Sequence, residues 1–213
     1  MMHIQTFTFN PFQENTYVLY DDSGACVIVD PGCYEKEEQA TLQTFIAQEE
    51  LRVEKLINTH CHIDHVLGNA WVARTYQVGL MMHQEDLPTL RANEVVGPNY
   101  GFAQYEHLDA TEFFEHGDTI SFGNTTLEVR FTPGHSLGHV VFYHQDQGIV
   151  IGGDVLFRGS IGRTDLPGGD FDTLANSIRT QLYTLPTDTV VYPGHGPTTT
   201  VGFEMQSNPF VPA

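Results

Sequence analysis

The chain has 213 residues, 40% of them hydrophobic and 17% charged, enough for one globular domain (1–213) with its own core. That balance excludes wholesale disorder and a disulfide-stapled miniprotein. Nine Lys and Arg against 27 Asp and Glu give a net charge of −18, and no two basic residues are adjacent, so neither nucleic acid nor an anionic membrane surface is an expected partner.

The pattern opens with strands at 3–9, 15–20 and 25–29, the last ending at the turn signal Asp30-Pro31-Gly32. Residues 35–50 carry Leu42, Phe45 and Ile46 at helical spacing, and 53–59 read as a buried strand. A helix at 67–76 and a strand at 78–82 follow. Residues 88–112, with Pro88, Gly97, Pro98 and Gly101, read as a long irregular loop holding Phe102 and Tyr105, with Phe113 and Phe114 beside it. Those aromatics either wall a pocket or fold inward on the loop itself. Strands at 119–122, 125–131, 139–144 and 148–152, a helix at 171–183 and a strand at 189–192 complete the chain. Strands followed by a helix in each half predict an α/β protein with four αββα layers.

The cysteines Cys26, Cys33 and Cys61 form no CxxC pair, and no apolar run approaches the roughly 18 residues of a spanning helix. The N-terminus has neither a basic start nor an apolar stretch, so a signal peptide is not expected and the cytoplasm is the expected compartment. Cys26 reads as core, Cys33 as a turn residue and Cys61 as a spectator between two candidate ligands.

The histidines carry the chemistry. Directly after the strand at 53–59 comes His60-Cys61-His62-Ile63-Asp64-His65, which crowds imidazoles and a carboxylate at a strand's C-terminal end, where open sheets place ligand sites. Three more candidates sit in Gly-rich turns after strands: His135 in Pro133-Gly134-His135-Ser136, Asp154 in Gly152-Gly153-Asp154, and His195 in Pro193-Gly194-His195-Gly196. Nitrogen and carboxylate donors suit zinc, and also iron or manganese. Gly134-His135-Ser136-Leu137-Gly138 also matches the nucleophile elbow of serine hydrolases, but that elbow needs a helix after the turn, and residues 139–143 read as a strand. Ser136 is therefore expected as a turn residue whose hydroxyl bonds the backbone. His3, His83, His107, His116 and His144 have no motif around them. His139, four residues past His135, is a candidate to hold a ligand from behind.

HxHxDH, PGHSxGH, GGD and PGHG in this order resemble the metallo-β-lactamase superfamily over essentially the whole chain. The stretch from Gly153 to Asp170, with Gly162-Arg163-Thr164-Asp165-Leu166-Pro167-Gly168-Gly169-Asp170, resembles its glyoxalase II-like branch. The resemblance implies the αββα sandwich and two divalent metal ions, zinc first. His60, His62 and His135 would hold one, Asp64, His65 and His195 the other, and Asp154 would bridge them. It implies hydrolysis of an S-2-hydroxyacyl thioester to a thiol and a 2-hydroxy acid by a metal-bridging hydroxide, with Asp64 and Asp154 as the catalytic carboxylates. A site left near +1 by two metals, two carboxylates and one hydroxide would draw a small anionic thioester into a −18 protein.

The longer glyoxalase II enzymes carry a C-terminal helical glutathione-binding domain. This sequence runs 18 residues past His195, so that domain is not expected and the thiol carrier stays open. A persulfide dioxygenase, a relative with a GRTD segment, would instead hold one iron on His60, His135 and Asp154. Lactonase and β-lactamase readings fit the GRTDLPGGD segment less well. Arg158 and Arg163 are candidate carboxylate clamps for substrate, and Arg163 has an alternative partner in Asp165 or Asp170.

Overall fold

The computed structural model describes residues 1–212. Two compact units divide the chain: Met1–Phe113 with Ser121–Thr125, and Phe114–Ile120 with Thr126 onward.

The first unit is built on a six-stranded sheet in the order β1-β2-β3-β4-β5-β6. Strands β1 (Met2–Phe9), β2 (Glu14–Asp21) and β3 (Ala25–Val29) run antiparallel as successive hairpins. Helix α1 (Lys36–Gln48) then crosses to β4 (Arg52–Ile57), which pairs parallel with β3. The short α2 (Ile63–Val66) and α3 (Asn69–Tyr76) lead to β5 (Leu80–His83), parallel to β4. All five residues of β3, an apolar strand between antiparallel β2 and parallel β4, are buried. Glu38 fastens the start of α1: its carboxylate accepts from the backbone N–H of Tyr34, Glu35 and Asn10. Leu42 and Ile46 on α1 pack with Val18, Ile28, Leu56 and Leu80 in this unit's core.

Residues 88–112 are not an irregular loop. Helix α4 (Leu87–Asn99) occupies their first half, and β6 (Ala110–Phe114) closes the sheet edge. The inward positions of α4 are Leu90, Asn93 and Gly97, so the helix buries a polar and a small residue where an apolar stripe would have announced it. Phe102 is buried against Tyr34 and Phe12, and Tyr105 packs on the same core, so these two aromatics fold inward.

The second sheet has the order β14-β13-β10-β9-β8-β7. It comprises β7 (Thr119–Phe122), β8 (Thr125–Phe131), β9 (Val140–His144) and β10 (Ile149–Gly153), with β8, β9 and β10 antiparallel in turn. A two-stranded hairpin, β11 (Leu156–Phe157) and β12 (Ser160–Ile161), precedes α5 (Phe171–Ser177), which continues as a π-helical turn over Ile178–Leu182. Strand β13 (Val190–Pro193) returns parallel to β10, β14 (Thr199–Thr200) forms the edge, and α6 (Val201–Ser207) follows. Val141, Val150, Leu174, Ile178 and Val191 anchor this unit's core. Two sheets carrying helices give the mixed α/β class expected, and no helix among the described residues is long and apolar enough to cross a membrane.

Candidate metal centre

His60, Cys61 and His62 follow β4 in a stretch without regular structure, and Asp64 and His65 lie on α2, whose N-cap is His62. The His60 ring lies 4.9 Å from that of His62 and 4.1 Å from that of His65, centroid to centroid. Asp64 Oδ2 is 3.6 Å from His65 Nε2. All four candidates in this segment therefore meet at one end of the first sheet.

Hydrogen bonds behind the rings decide which nitrogen each presents. Asp30 Oδ2 faces His65 Nδ1 at 3.2 Å, and a carboxylate only accepts, so Nδ1 carries the proton and Nε2 the lone pair. Thr59 Oγ1 donates its single proton to Asp30 Oδ2 at 2.5 Å and so accepts from His60 Nδ1 at 3.1 Å. His60 is thereby also held with Nε2 as its lone-pair atom. Asp30 further accepts from Thr59 N at 2.7 Å and Asn58 Nδ2 at 3.1 Å, so its oxygens are engaged by protein donors, although Asp30, His60 and His65 offer ligand atoms all within 4.8 Å of one another. Asp30 is a brace for two histidines that the sequence showed only as a turn signal.

Behind His65 lies a second buried acid. Glu14 Oε1 is 3.8 Å from His65 Nδ1, and Oε2 accepts from Thr16 Oγ1. Burial pushes the Glu14 carboxyl well above the usual carboxylate range, against the attraction of His65 and together with the repulsion of Asp30. Burial likewise raises the Cys61 thiol well above its usual range, and its Sγ turns to Met82 Sδ at 3.6 Å. A neutral thiol packed into the core fits the spectator reading. Cys26 is buried in β3 with its pKa pushed up to about 12 by that burial, and Cys33 is buried in the irregular segment after Asp30 and not in a turn.

In the second unit the remaining three candidates also meet. Asp154 Oδ2 lies 3.6 Å from His135 Nε2 and 3.5 Å from His195 Nε2, so one carboxylate oxygen is shared by two imidazoles. His135 Nδ1 donates to the backbone carbonyl of Arg163 at 2.8 Å, which again makes Nε2 the lone-pair atom. Glycines make the turns possible. Gly134 has φ +123°, and a Cβ there would run into the backbone of Leu174; a Cβ on Gly162 would strike the carbonyl of Asp154.

His139 differs from the others. Its Nε2 accepts from the backbone N–H of Asp154 at 3.0 Å, and Nδ1 faces Thr132 Oγ1 at 3.2 Å. With its lone pair directed at a peptide, it orients Asp154 from behind. Ser136 is followed by a turn into β9 and not by a helix, so the elbow geometry is absent at this serine. The hydroxyl-to-backbone bond expected of Ser136 is absent too: its Oγ is buried without a hydrogen-bond partner among the described residues, and its carbonyl accepts from Gly134 N instead.

The arginines are engaged within their own unit. Arg163 forms a bidentate pair with Asp165 at 2.7 and 2.8 Å, on the surface, and Asp170 instead caps α5 through Thr173 N. The Arg158 guanidinium lies 5.5 Å from the centroid of the Phe203 ring.

The donor set fits a divalent metal. Three histidines are fixed with Nε2 outward by acceptors behind them, and two carboxylates stand against those nitrogens. Comparison with known proteins agrees. The family model for the metallo-beta-lactamase superfamily matches residues 9–195. Hydroxyacylglutathione hydrolase GloC of Haemophilus influenzae is 32% identical over 99% of this chain and 98% of its own length. Among solved structures, BLEG-1 B3 metallo-beta-lactamase superposes with a TM-score of 0.86 at 33% identity, over 99% of this chain and 100% of that one. TTHA1623 in a di-iron-bound form does so with a TM-score of 0.86 at 36% identity, over 97% and 99%.

Proposed function

The chain belongs to the metallo-β-lactamase superfamily, and we propose that within it the protein is a two-metal hydrolase of a small anionic thioester, an S-2-hydroxyacyl thiol of the glutathione type. The observation that carries the two-metal part is Asp154, whose single oxygen stands about equally far from His135 and His195. Support for the thioester comes from GloC, which this chain matches along 98% of that enzyme's length. His60, His62, Asp64 and His65 of the first unit and His135, Asp154 and His195 of the second are the proposed ligand set.

Bound divalent ions would lower the pKa of water from about 16 toward about 7 and polarise the thioester carbonyl. The chain's own part is orientation. Thr59, Asp30 and the Arg163 carbonyl hold three imidazoles with Nε2 outward, and His139 holds the peptide of Asp154. Asp64 and Asp154, each 8% exposed, accept hydrogen bonds from the attacking water. The water oxygen bonds to the acyl carbon, the carbon–sulfur bond breaks, and the water proton ends on the departing sulfur, leaving a 2-hydroxy acid and a free thiol. Arg158 is the proposed contact for the substrate carboxylate, because its guanidinium rests on a ring and not on an acid.

Protein purified without added metal or chelator is expected to hold about two zinc, iron or manganese ions per chain and to release thiol from S-lactoylglutathione. Asp154→Asn is expected to lose one or both metals and to slow turnover at least a hundredfold. One iron per chain, with oxygen uptake on a persulfide and no thiol release, would replace this reading by the dioxygenase.

A further inference from the structure

We propose that Asp86 and Asn93 are positioning residues that clamp the two peptide groups flanking Cys61 and so set the angle between His60 and His62. The proposal rests on the reading of those two histidines as metal ligands. Cys61 stands between them, and the backbone from residue 58 to residue 62 lies outside any strand or helix. Nothing in a sheet ladder therefore fixes these peptides. Two side chains do so instead.

The Cys61 N–H, which belongs to the peptide shared with His60, donates to Asp86 Oδ2 at 2.6 Å. The Cys61 carbonyl, which belongs to the peptide shared with His62, accepts from Asn93 Nδ2 at 2.8 Å. Both side chains are buried, Asp86 at 0% and Asn93 at 2% exposure. The first bond is charge-assisted and short, and both lie away from water, where such bonds are strongest. One side chain accepts and the other donates, so each peptide meets the partner it needs, and a carboxylate cannot take the place of Asn93.

Local rules make this placement conspicuous. Asp86 ends a single 3₁₀ turn, Gln84–Asp86, that runs directly into α4, and its carboxylate makes no capping bond to that helix. Its Oδ1 accepts from Thr89 Oγ1 at 3.2 Å, which leaves Oδ2 directed at Cys61. Asn93 occupies an inward position of α4 that packing alone would give to an apolar residue. Two buried polar side chains from one helical stretch thus converge on the backbone of a single residue between two candidate ligands, which points to a site requirement. The Cys61 thiol points to Met82, so what is held is the backbone of Cys61 and not its sulfur.

The test is a competition titration of the full-length metal-free chain with zinc against a chromophoric chelator, repeated with cobalt to record its ligand-field absorption. Groups behind a metal ligand typically contribute about 10–100-fold to affinity. Asp86→Ala and Asn93→Asp at pH 8 are expected to weaken one metal equivalent by about that factor and to shift the cobalt spectrum. Asp86→Asn, which keeps an acceptor oxygen for Cys61 N–H, is expected to stay close to the parent. His60→Ala, the control, is expected to abolish the same equivalent.

Parent-like binding in Asp86→Ala and Asn93→Asp, with loss in His60→Ala, would overturn the clamp. Equal weakening of both equivalents would overturn it as well, since that marks general destabilisation. Retention of both metals by His60→Ala would overturn the ligand reading itself. If Asp86→Ala does not fold, Asn93 decides alone. A packing role predicts that Asn93→Asp, nearly isosteric, is milder than Asn93→Ala, whereas the clamp predicts the reverse, because a carboxylate then faces the Cys61 carbonyl.

Discussion

A hydroxyl proton decides how His60 faces the candidate metal. Thr59 has one proton and directs it to Asp30, so its oxygen accepts from His60 Nδ1. Thr59→Val keeps the shape and removes both roles. The variant is expected to lose about 1–3 kcal/mol of stability, since Asp30 then lacks one donor. It is also expected to bind metal about 10-fold or more weakly, with His60 no longer confined to one tautomer. Nitrogen NMR of the histidine rings and a chelator titration would measure both; an unchanged tautomer in the variant would show that Thr59 only fills space. The ligand candidates themselves were legible because they cluster in short motifs at strand ends. Their supports were not. Asp30, Asp86 and Asn93 lie 29, 25 and 32 residues from the backbone groups they hold, and no local pattern links them.

At the scale of elements, many strands and α1 followed directly from apolar runs and turn residues: β3 spans 25–29 as read, and α1 lies within the residues read as helix. What escaped was α4, because its inner face holds Asn93 and Gly97, and β6, an edge strand with three of its five residues exposed. The short β11, β12, β14 and α6 escaped because two-residue strands and a seven-residue helix carry almost no periodicity. The turn between β8 and β9 is where element geometry governs the site. Gly134 accepts the N–H of Asp170, the N-cap of α5, on its carbonyl, and its left-handed φ leaves no room for a Cβ beside Leu174. Gly134→Ala is expected to destabilise the protein by about 2 kcal/mol or more, combining backbone strain with a steric clash. His135, a proposed ligand, is the next residue, so metal content should fall in the same variant. A thermal melt and elemental analysis would show it, and a variant with parent stability would mean that the turn can relax away from α5.

For the molecule as a whole, the acid limit of stability is the property most open to test, because 27 carboxylates must all become protonated there. Most are exposed and contribute little, whereas Asp21 is different. Burial raises its pKa, but hydrogen bonds from Ser23 N and Oγ, Asn124 N and Thr125 Oγ1 outweigh that and hold it at about 2. An unfolded chain returns it to about 3.9. The folded form thus binds this proton later than the unfolded one, so the stabilisation is complete above about pH 4 and disappears as pH falls through 2. The shift corresponds to about 2 to 3 kcal/mol. Asp21→Asn removes the titration while keeping one acceptor oxygen. Urea unfolding of both proteins at pH 6 and pH 2.5 is expected to show the stability gap between them narrowing by 1 to 2 kcal/mol, roughly the portion of that shift lost by pH 2.5. A gap that stays constant would mean that the four donors hold the protonated acid as well as the carboxylate.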